Sequence, residues 1–147
     1  MIRAPESKAV EIVRAVYTAF NTGDKEAIAI GLRNILSEDV IVREPESLPW
    51  GGVYKGADVF IPIAGEMGGP SSPIDPRAIR IDHMFGHRTP EGLDHVVVAV
   101  SVPWRGPTRA VTMRTLEWFT VRDDLIIEIQ VFIWDTAAVL DLLGKTE

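Results

Sequence analysis

The chain has 147 residues, of which 46% are hydrophobic and 24% charged, and its formal net charge is -6. This length suits one domain with a core of its own, and the composition is that of a globular protein rather than a disordered one. The absence of cysteine excludes disulfides, thiolate metal ligands and cysteine nucleophiles. The acidic charge, without a basic cluster, argues against nucleic acid and anionic membranes as partners.

Targeting segments are not evident. No apolar run approaches the roughly 20 residues of a membrane span, and the first residues lack the apolar stretch of a secretory signal. We therefore expect a single domain over residues 1–147, located in the cytoplasm.

Two helices are predicted at the start of the chain. Ser7 is a plausible N-cap, and Val10, Val13 and Tyr17 recur at spacings of three and four, which predicts one buried helix face. A glycine ends this helix, and Asp24 caps the second one.

A strand and a third helix are predicted next. Residues 40–44 alternate as in a half-buried strand that ends at Pro45, and residues 45–52 are predicted to be a loop. The third helix covers residues 57–67, with Pro62 in or near its first turn because proline lacks the backbone donor.

The second half of the chain is predicted to be β-rich. Its segments of β-branched and aromatic residues are 79–87, 95–104, 110–122 and 125–134. A tight turn at Asp123–Asp124 joins the last two, and Asp135 begins a closing helix. Helices followed by a strand meander indicate an α+β domain, with helices covering one face of a mainly antiparallel sheet.

Alternation along the last two strands assigns their faces. The inward row holds Ile127, Ile129, Val131 and Ile133 on one strand and Met113, Thr115, Glu117 and Phe119 on the other. The outward row holds Leu116, Trp118, Phe132 and Trp134. So much outward apolar area predicts a partner subunit, most simply in a two-fold homodimer.

Three segments carry a family resemblance: residues 20–24 (FNTGD), residues 40–45 (VIVREP) and the closing segment 126–143. With this order of elements, the chain resembles the nuclear transport factor two-like superfamily, and within it the SnoaL-like, ketosteroid isomerase-like proteins. The resemblance implies a cone-shaped, curved, mixed sheet wrapped around helices, the ketosteroid isomerase-like or cystatin-like roll, with an apolar pocket for a small hydrophobic molecule.

The resemblance also implies functional residues. Bacterial ketosteroid isomerases have a catalytic aspartate before a proline at the end of the first strand, where this chain has Glu44 before Pro45. Their second acid lies on a late strand, at a position similar to Glu117. Their tyrosine position falls at Val16, so Tyr17 is expected to point about 100° elsewhere on the helix.

The same fold occurs in two other groups of enzymes, whose functional residues give further expectations. Limonene epoxide hydrolases need an Asp-Arg-Asp set, and the strand that would hold it has the sequence HVVVA at residues 95–99, which excludes that activity. Polyketide cyclases use a pocket aspartate as acid and base, and Asp135 is the candidate for that role.

These residues suggest proton abstraction next to a carbonyl, which needs a base near the carbon and a donor at the oxygen. The hypothesis takes Glu44 as base and Glu117 or Asp135 as acid partner. The residues expected to line the pocket are Tyr17, Trp50, His83, Phe119, Ile129 and Val131. The alternatives are that the glutamates face solvent or pair with Arg43 or Arg114, that His83 is a core histidine, and that Trp50 packs on the sheet edge instead of forming a lid.

Neither a cofactor nor a metal is expected, because the three histidines are scattered and cysteine is absent. A cofactor-independent isomerase, cyclase or lyase is the first hypothesis. A non-catalytic small-molecule-binding domain or a dimerisation domain of the same fold is the alternative.

Overall fold

The computed structural model describes residues 6–144 of the chain. In this range there are four α-helices, which are α1 (Lys8–Asn21), α2 (Lys25–Arg33), α3 (Ala57–Gly65) and α4 (Thr136–Leu142). The six strands of the same range are β1 (Leu36–Glu44), β2 (Gly52–Lys55), β3 (Arg80–Arg88), β4 (Asp94–Arg105), β5 (Ala110–Arg122) and β6 (Leu125–Ile133).

All six strands belong to one sheet with the order β2-β1-β6-β5-β4-β3. The β1–β6 pair is parallel, and the other neighbours are antiparallel. The predicted class, an α+β fold with a mixed, mainly antiparallel sheet around helices, is confirmed.

Helices α1, α2 and α4 begin where a side chain satisfies a free backbone donor. The hydroxyl of Ser7 accepts from the Val10 N–H at 3.2 Å, and the carboxylate of Asp24 accepts from the Ala27 N–H at 3.0 Å. The buried face of α1 packs toward β3, β4 and β6, and completely buried side chains such as Val13 join the central core. The core therefore lies between the helices and the inner face of the sheet.

The predicted loop over residues 45–52 is confirmed as far as Gly51. Gly52–Lys55 form β2, which the sequence did not predict and which pairs with the end of β1 so that Glu44 lies opposite Gly52. One local prediction is wrong. Pro62 lies in the interior of α3 rather than in its first turn. The helix tolerates it because Pro62 is on the exposed side, where water can satisfy the carbonyl that loses its N–H partner.

Register irregularities change which side chains face inward. The β3–β4 register shifts between Ile81 and His83, and the β5–β6 register shifts after Thr120. An extra residue in one strand reverses the alternation beyond it. As a result His83 is exposed, and Ile126 rather than Ile127 is completely buried.

The outer face of the sheet carries the predicted apolar row. Leu116, Phe132 and Trp134 are 47%, 51% and 79% exposed, and Trp118 is half-buried. Leu116 lies directly opposite Phe132 on the neighbouring strand, so the two side chains form a continuous patch. Within residues 6–144 no helix has both the length and the apolar character needed to cross a membrane.

Candidate active site

The inner face of the sheet and the helices enclose a cavity of about 330 Å³. Most of its wall is apolar, with side chains such as Phe60 from α3 and Val102 from β4. Three acidic residues line the cavity, namely Glu44 and Glu117 in this apolar wall and Glu66, which is exposed and forms an ion pair with Lys25. Such a mixture of apolar walls and a few polar groups is typical of small-molecule sites.

The strand register explains why the two carboxyl groups meet in one cavity. Glu117 lies opposite Val131 of β6, and Val42 of β1 lies opposite Ile129 of the same strand. Glu44, two residues beyond Val42, is therefore level with Val131 from the other side. The two glutamates flank β6 on the inner face, with backbones two strand spacings or about 10 Å apart.

Tyr17 holds one of these carboxyl groups. Its hydroxyl donates a hydrogen bond of 2.5 Å to Glu117 Oε1, and its ring packs edge-on against Phe119 with centroids 6.1 Å apart. Tyr17 is only 2% exposed. Tyr17 was expected to line the pocket, and it does so together with Val16, although the two residues lie about 100° apart on the helix. The apolar stripe of a packed helix is wider than 100°, and a tyrosine hydroxyl extends far from the helix axis.

The electrostatics of the pair are unequal. Burial raises the pKa of Glu44 to about 8, with a further contribution from the charge of Glu117. Burial also raises the pKa of Glu117, but the Tyr17 hydrogen bond opposes that rise. The hydrogen bond from Tyr17 stabilises the charged form of Glu117. The surroundings therefore favour the negative charge of the pair on Glu117 and the proton on Glu44, the reverse of the division expected with Glu44 as base.

The aromatic end of the cavity is built around Trp50. Its ring stacks on that of Trp104, with centroids 5.5 Å apart and planes at 17°. The Tyr54 hydroxyl donates to the Trp50 carbonyl, which ties the segment before β2 to this position. Trp50 lines the cavity together with Phe119, Ile129 and Val131.

Two of the predicted site residues lie elsewhere. Asp135 is exposed, and its carboxylate accepts from the Ala138 N–H at 3.0 Å, which makes it the N-cap of α4. It lies outside the cavity lining because the inward row of β6 ends at Ile133. His83 is exposed beside Phe85, since the register shift in β3 turns it outward. The expectation that it lines the pocket is wrong.

Several lining residues were not predicted. Met67 lies at the end of the predicted third helix, and residues 71–74 reach the cavity from the segment that follows it, for which the sequence predicted no helix or strand. Thr115 and Trp104 also line it, and their alternation with Glu117 and Val102 was a usable signal. Among residues 6–144 no group of three or more His, Asp or Glu side chains is placed to hold a metal ion.

The sequence profile of the SnoaL-like domain matches residues 13–129. The chain belongs to the SnoaL-like domain family. No curated protein matches this SnoaL-like domain. Its fold is similar to that of solved structures at low sequence identity, a likeness that concerns the fold alone.

Three of these structures illustrate the likeness. A proposed SnoaL-like polyketide cyclase from Jannaschia sp. CCS1 is 20% identical, with a TM-score of 0.72 and coverage of 100% of this chain and 99% of that one. TerC, co-crystallised with polyporic acid, is 20% identical, with a TM-score of 0.69 and coverage of 94% and 99%. An NTF2-like protein of unknown function from Burkholderia pseudomallei K96243 is 20% identical, with a TM-score of 0.70 and coverage of 94% and 98%.

Proposed function

We propose that this SnoaL-like domain is a cofactor-independent isomerase or cyclase that moves a proton next to a carbonyl group in a small hydrophobic substrate. One observation carries the proposal. An ionisable pair, Glu44 and Glu117, lies in a single apolar cavity, with the Tyr17 hydroxyl bonded to one member at 2.5 Å.

The proposed reaction begins with the carboxylate of Glu117. It takes a proton from the carbon next to the substrate carbonyl, and the C–H electron pair moves into a carbon–carbon double bond as the carbonyl oxygen becomes negative. The neutral carboxyl of Glu44 donates to that oxygen and stabilises the enolate. When the enolate is conjugated with a carbon–carbon double bond, return of the proton from Glu117 to the far carbon of that system completes an isomerisation. In a cyclisation the enolate carbon attacks a second carbonyl carbon of the same substrate, the electron pair of that C=O bond moves to its oxygen, and Glu117 gives its proton to the resulting alkoxide.

The surroundings of the pair suit this chemistry. Two carboxyl groups whose environments separate their pKa values can act as base and acid at the same pH. Tyr17 fixes Glu117 Oε1, so that Oε2 is the oxygen available to the substrate. The apolar wall lowers the local dielectric, which strengthens the hydrogen bond to a developing negative charge. The proposed polyketide cyclase from Jannaschia and the TerC complex with polyporic acid support a small organic substrate by analogy of fold.

The test uses a probe that reports only the first step. 2-Tetralone carries acidic hydrogens next to its carbonyl, and their exchange for deuterium in D2O is followed by proton NMR. We expect the protein to accelerate exchange over the buffer rate, and Glu117→Gln to lower this acceleration by at least about 100-fold, the usual contribution of a general base.

The matched control is Glu46→Gln, because Glu46 is an exposed glutamate two residues beyond Glu44. It should exchange the probe as the wild type does. Full exchange activity in folded Glu117→Gln contradicts the proposal. Saturable binding of 2-tetralone without exchange supports the alternative, a non-catalytic binding domain.

We also propose that a second copy of this chain covers the outer apolar patch of Leu116, Trp118, Phe132 and Trp134. The patch continues across two paired strands, and side chains this exposed and this apolar are typical of interfaces. A two-fold axis through the patch would place Phe132 of each copy against the apolar patch of the other copy. Sedimentation over a range of protein concentrations distinguishes this dimer from a monomer.

A further inference from the structure

A second pocket lies beside the cavity and differs from it in character. Its volume is about 320 Å³, and most of its exposed wall is polar, whereas the wall of the cavity is mainly apolar. Met67 and residues 72–74 line both spaces, so the pocket and the cavity share part of one wall. Neither Glu44 nor Glu117 lines the second pocket. The proposed reaction therefore gives this pocket no role.

Close packing of the backbone shapes the second pocket. A Cβ atom on Gly68 would lie 2.8 Å from the Lys25 nitrogen, so residue 68 packs directly on the turn between α1 and α2. The Arg105 N–H donates to the Pro73 carbonyl at 2.7 Å, which joins the segment after α3 to the end of β4. Three separate parts of the chain therefore hold the pocket together.

The charged residues that line this pocket are Arg77, Arg105 and Asp75. The Asp75 carboxylate accepts from the backbone N–H of Arg77 at 3.2 Å and caps the short helical turn that begins there. Both arginines are exposed, so a dissolved ligand can reach them. Two positive charges against one negative charge make the pocket electropositive, although the whole protein has a formal net charge of -6.

Neither of these guanidinium groups forms an ion pair within residues 6–144. Six of the ten arginines in this range pair with a carboxylate, and Arg77 and Arg105 are two of the four that do not. These two share a single concave space, where their like charges repel each other. A bound anion would replace that repulsion by attraction to both groups.

The side chain of Arg77 is held against Gly23, which also lines the pocket. A Cβ atom on Gly23 would lie 2.6 Å from both Cγ and Cζ of Arg77, so the arginine runs closely over the backbone of this turn. Gly23 has a φ of 62°, which glycine adopts without steric cost. An arginine that is already positioned loses less side-chain entropy when it binds a ligand.

We propose that the second pocket is a binding site for an oxyanion group, in which Arg77 and Arg105 bind a carboxylate or a phosphate. A guanidinium presents a planar fork of N–H donors that matches the oxygen atoms of such groups. The group belongs either to a separate small anion or to the acidic end of a ligand whose apolar part occupies the cavity. Both sources offer the same chemistry to the arginines, and the site does not depend on the reaction proposed for Glu117.

Titration with inorganic phosphate at constant ionic strength, followed in proton–nitrogen NMR spectra, tests the site. The amide signals of Gly23, Gly68 and Gly69 should shift saturably, because these residues line the pocket. Arg77→Gln and Arg105→Gln should each weaken phosphate binding about 2- to 5-fold, as expected for the loss of one exposed ion pair.

The matched control is Arg122→Gln, since Arg122 is also exposed and outside any ion pair of residues 6–144 but does not line the pocket. It removes the same charge and should bind phosphate as the wild type does. Three results overturn the proposal: a wild type without saturable shifts, wild-type affinity in either pocket variant, or an equal loss of affinity in Arg122→Gln.

Acetate and octanoate distinguish the two sources of the anion. Both carry a carboxylate, but only octanoate has an apolar tail that can enter the adjoining cavity. Tighter binding of octanoate that weakens in Arg77→Gln assigns the site to the acidic end of a cavity ligand. Equal binding of the two, weakened in the same variant, assigns it to a separate anion. Carboxylate binding that is unchanged in Arg77→Gln overturns the proposal, and none of these results depends on deuterium exchange.

Discussion

The titration of Glu44 should appear in the pH dependence of folding stability. A carboxyl group whose pKa rises from 4.5 to about 8 in the native state binds a proton that the unfolded chain releases. The native state then holds more protons between these two pH values, so the free energy of unfolding falls as the pH rises from 4.5 to 8 and levels off above. At 1.36 kcal/mol for each pKa unit, the loss is at most about 5 kcal/mol.

The perturbation that isolates this effect is Glu44→Gln, which keeps the size of the side chain and removes its charge. We expect the variant to resemble the wild type at pH 5 and to be more stable than it by several kcal/mol at pH 9. Glu117 is present in both proteins, so the difference between their stability curves reports residue 44 together with its coupling to the charge of Glu117.

Urea unfolding at one-unit steps from pH 5 to pH 9 measures this difference, and equal m-values in the two proteins permit the comparison. The exposed Glu46 supplies the control, since Glu46→Gln should follow the wild-type curve at every pH. A stability difference between Glu44→Gln and the wild type that stays constant from pH 5 to pH 9 would refute the argument that burial raises this pKa.

Three further predictions concern other parts of the molecule. Tyr17→Phe removes the hydrogen bond to Glu117, so it should raise the pKa of Glu117 and move the acidic limb of the pH profile for deuterium exchange to higher pH. It should also lower the free energy of unfolding at pH 7 by about 1–3 kcal/mol. An acidic limb that does not move would contradict the role of Tyr17. Asp135→Ala removes the N-cap of α4 and should lower the free energy of unfolding in urea by about 1 kcal/mol, with deuterium exchange of the probe unchanged. A loss of deuterium exchange would mean that Asp135 takes part in the reaction. Phe132→Glu places a charge in the outer patch and should give a monomer by light scattering; a mass equal to that of the wild type would exclude this patch as the interface.

The two faces of the sheet were largely predictable from the sequence because β5 alternates without interruption over the residues that line the cavity. Met113, Thr115 and Phe119 are buried and alternate with exposed residues, and this pattern correctly assigned Glu117 to the inner face. The tight turn at Asp123–Asp124 followed from residue type, and both residues have positive φ values of 51° and 62°.

The error at His83 arises because one extra residue enters a strand. No feature of residues 79–87 marks the shift between Ile81 and His83, because the hydrogen bonds to β4 determine it and these depend on a distant part of the chain. Asp135 begins the closing helix as predicted, but its assignment to the pocket was wrong, since a helix N-cap and a residue that continues the inward row of a strand have the same sequence pattern.

The acid pair was predictable as two residue types at two strand positions, but its electrostatics were not. Which carboxyl ionises first depends on the Tyr17 hydroxyl, and that contact joins residues 100 positions apart in the chain. A helical wheel places Tyr17 by angle only and takes no account of the length of its side chain.

The central place of β6 has a consequence for synthesis on the ribosome. The last strand of the chain inserts between β1 and β5, so neither has its full set of neighbours until residue 133 has emerged. Until then the edges of β1 and β5 present unpaired backbone groups that can pair with other chains. Because contacts between chain ends also slow folding, a nascent chain stalled before residue 125 should be prone to aggregation and should lack the cavity altogether.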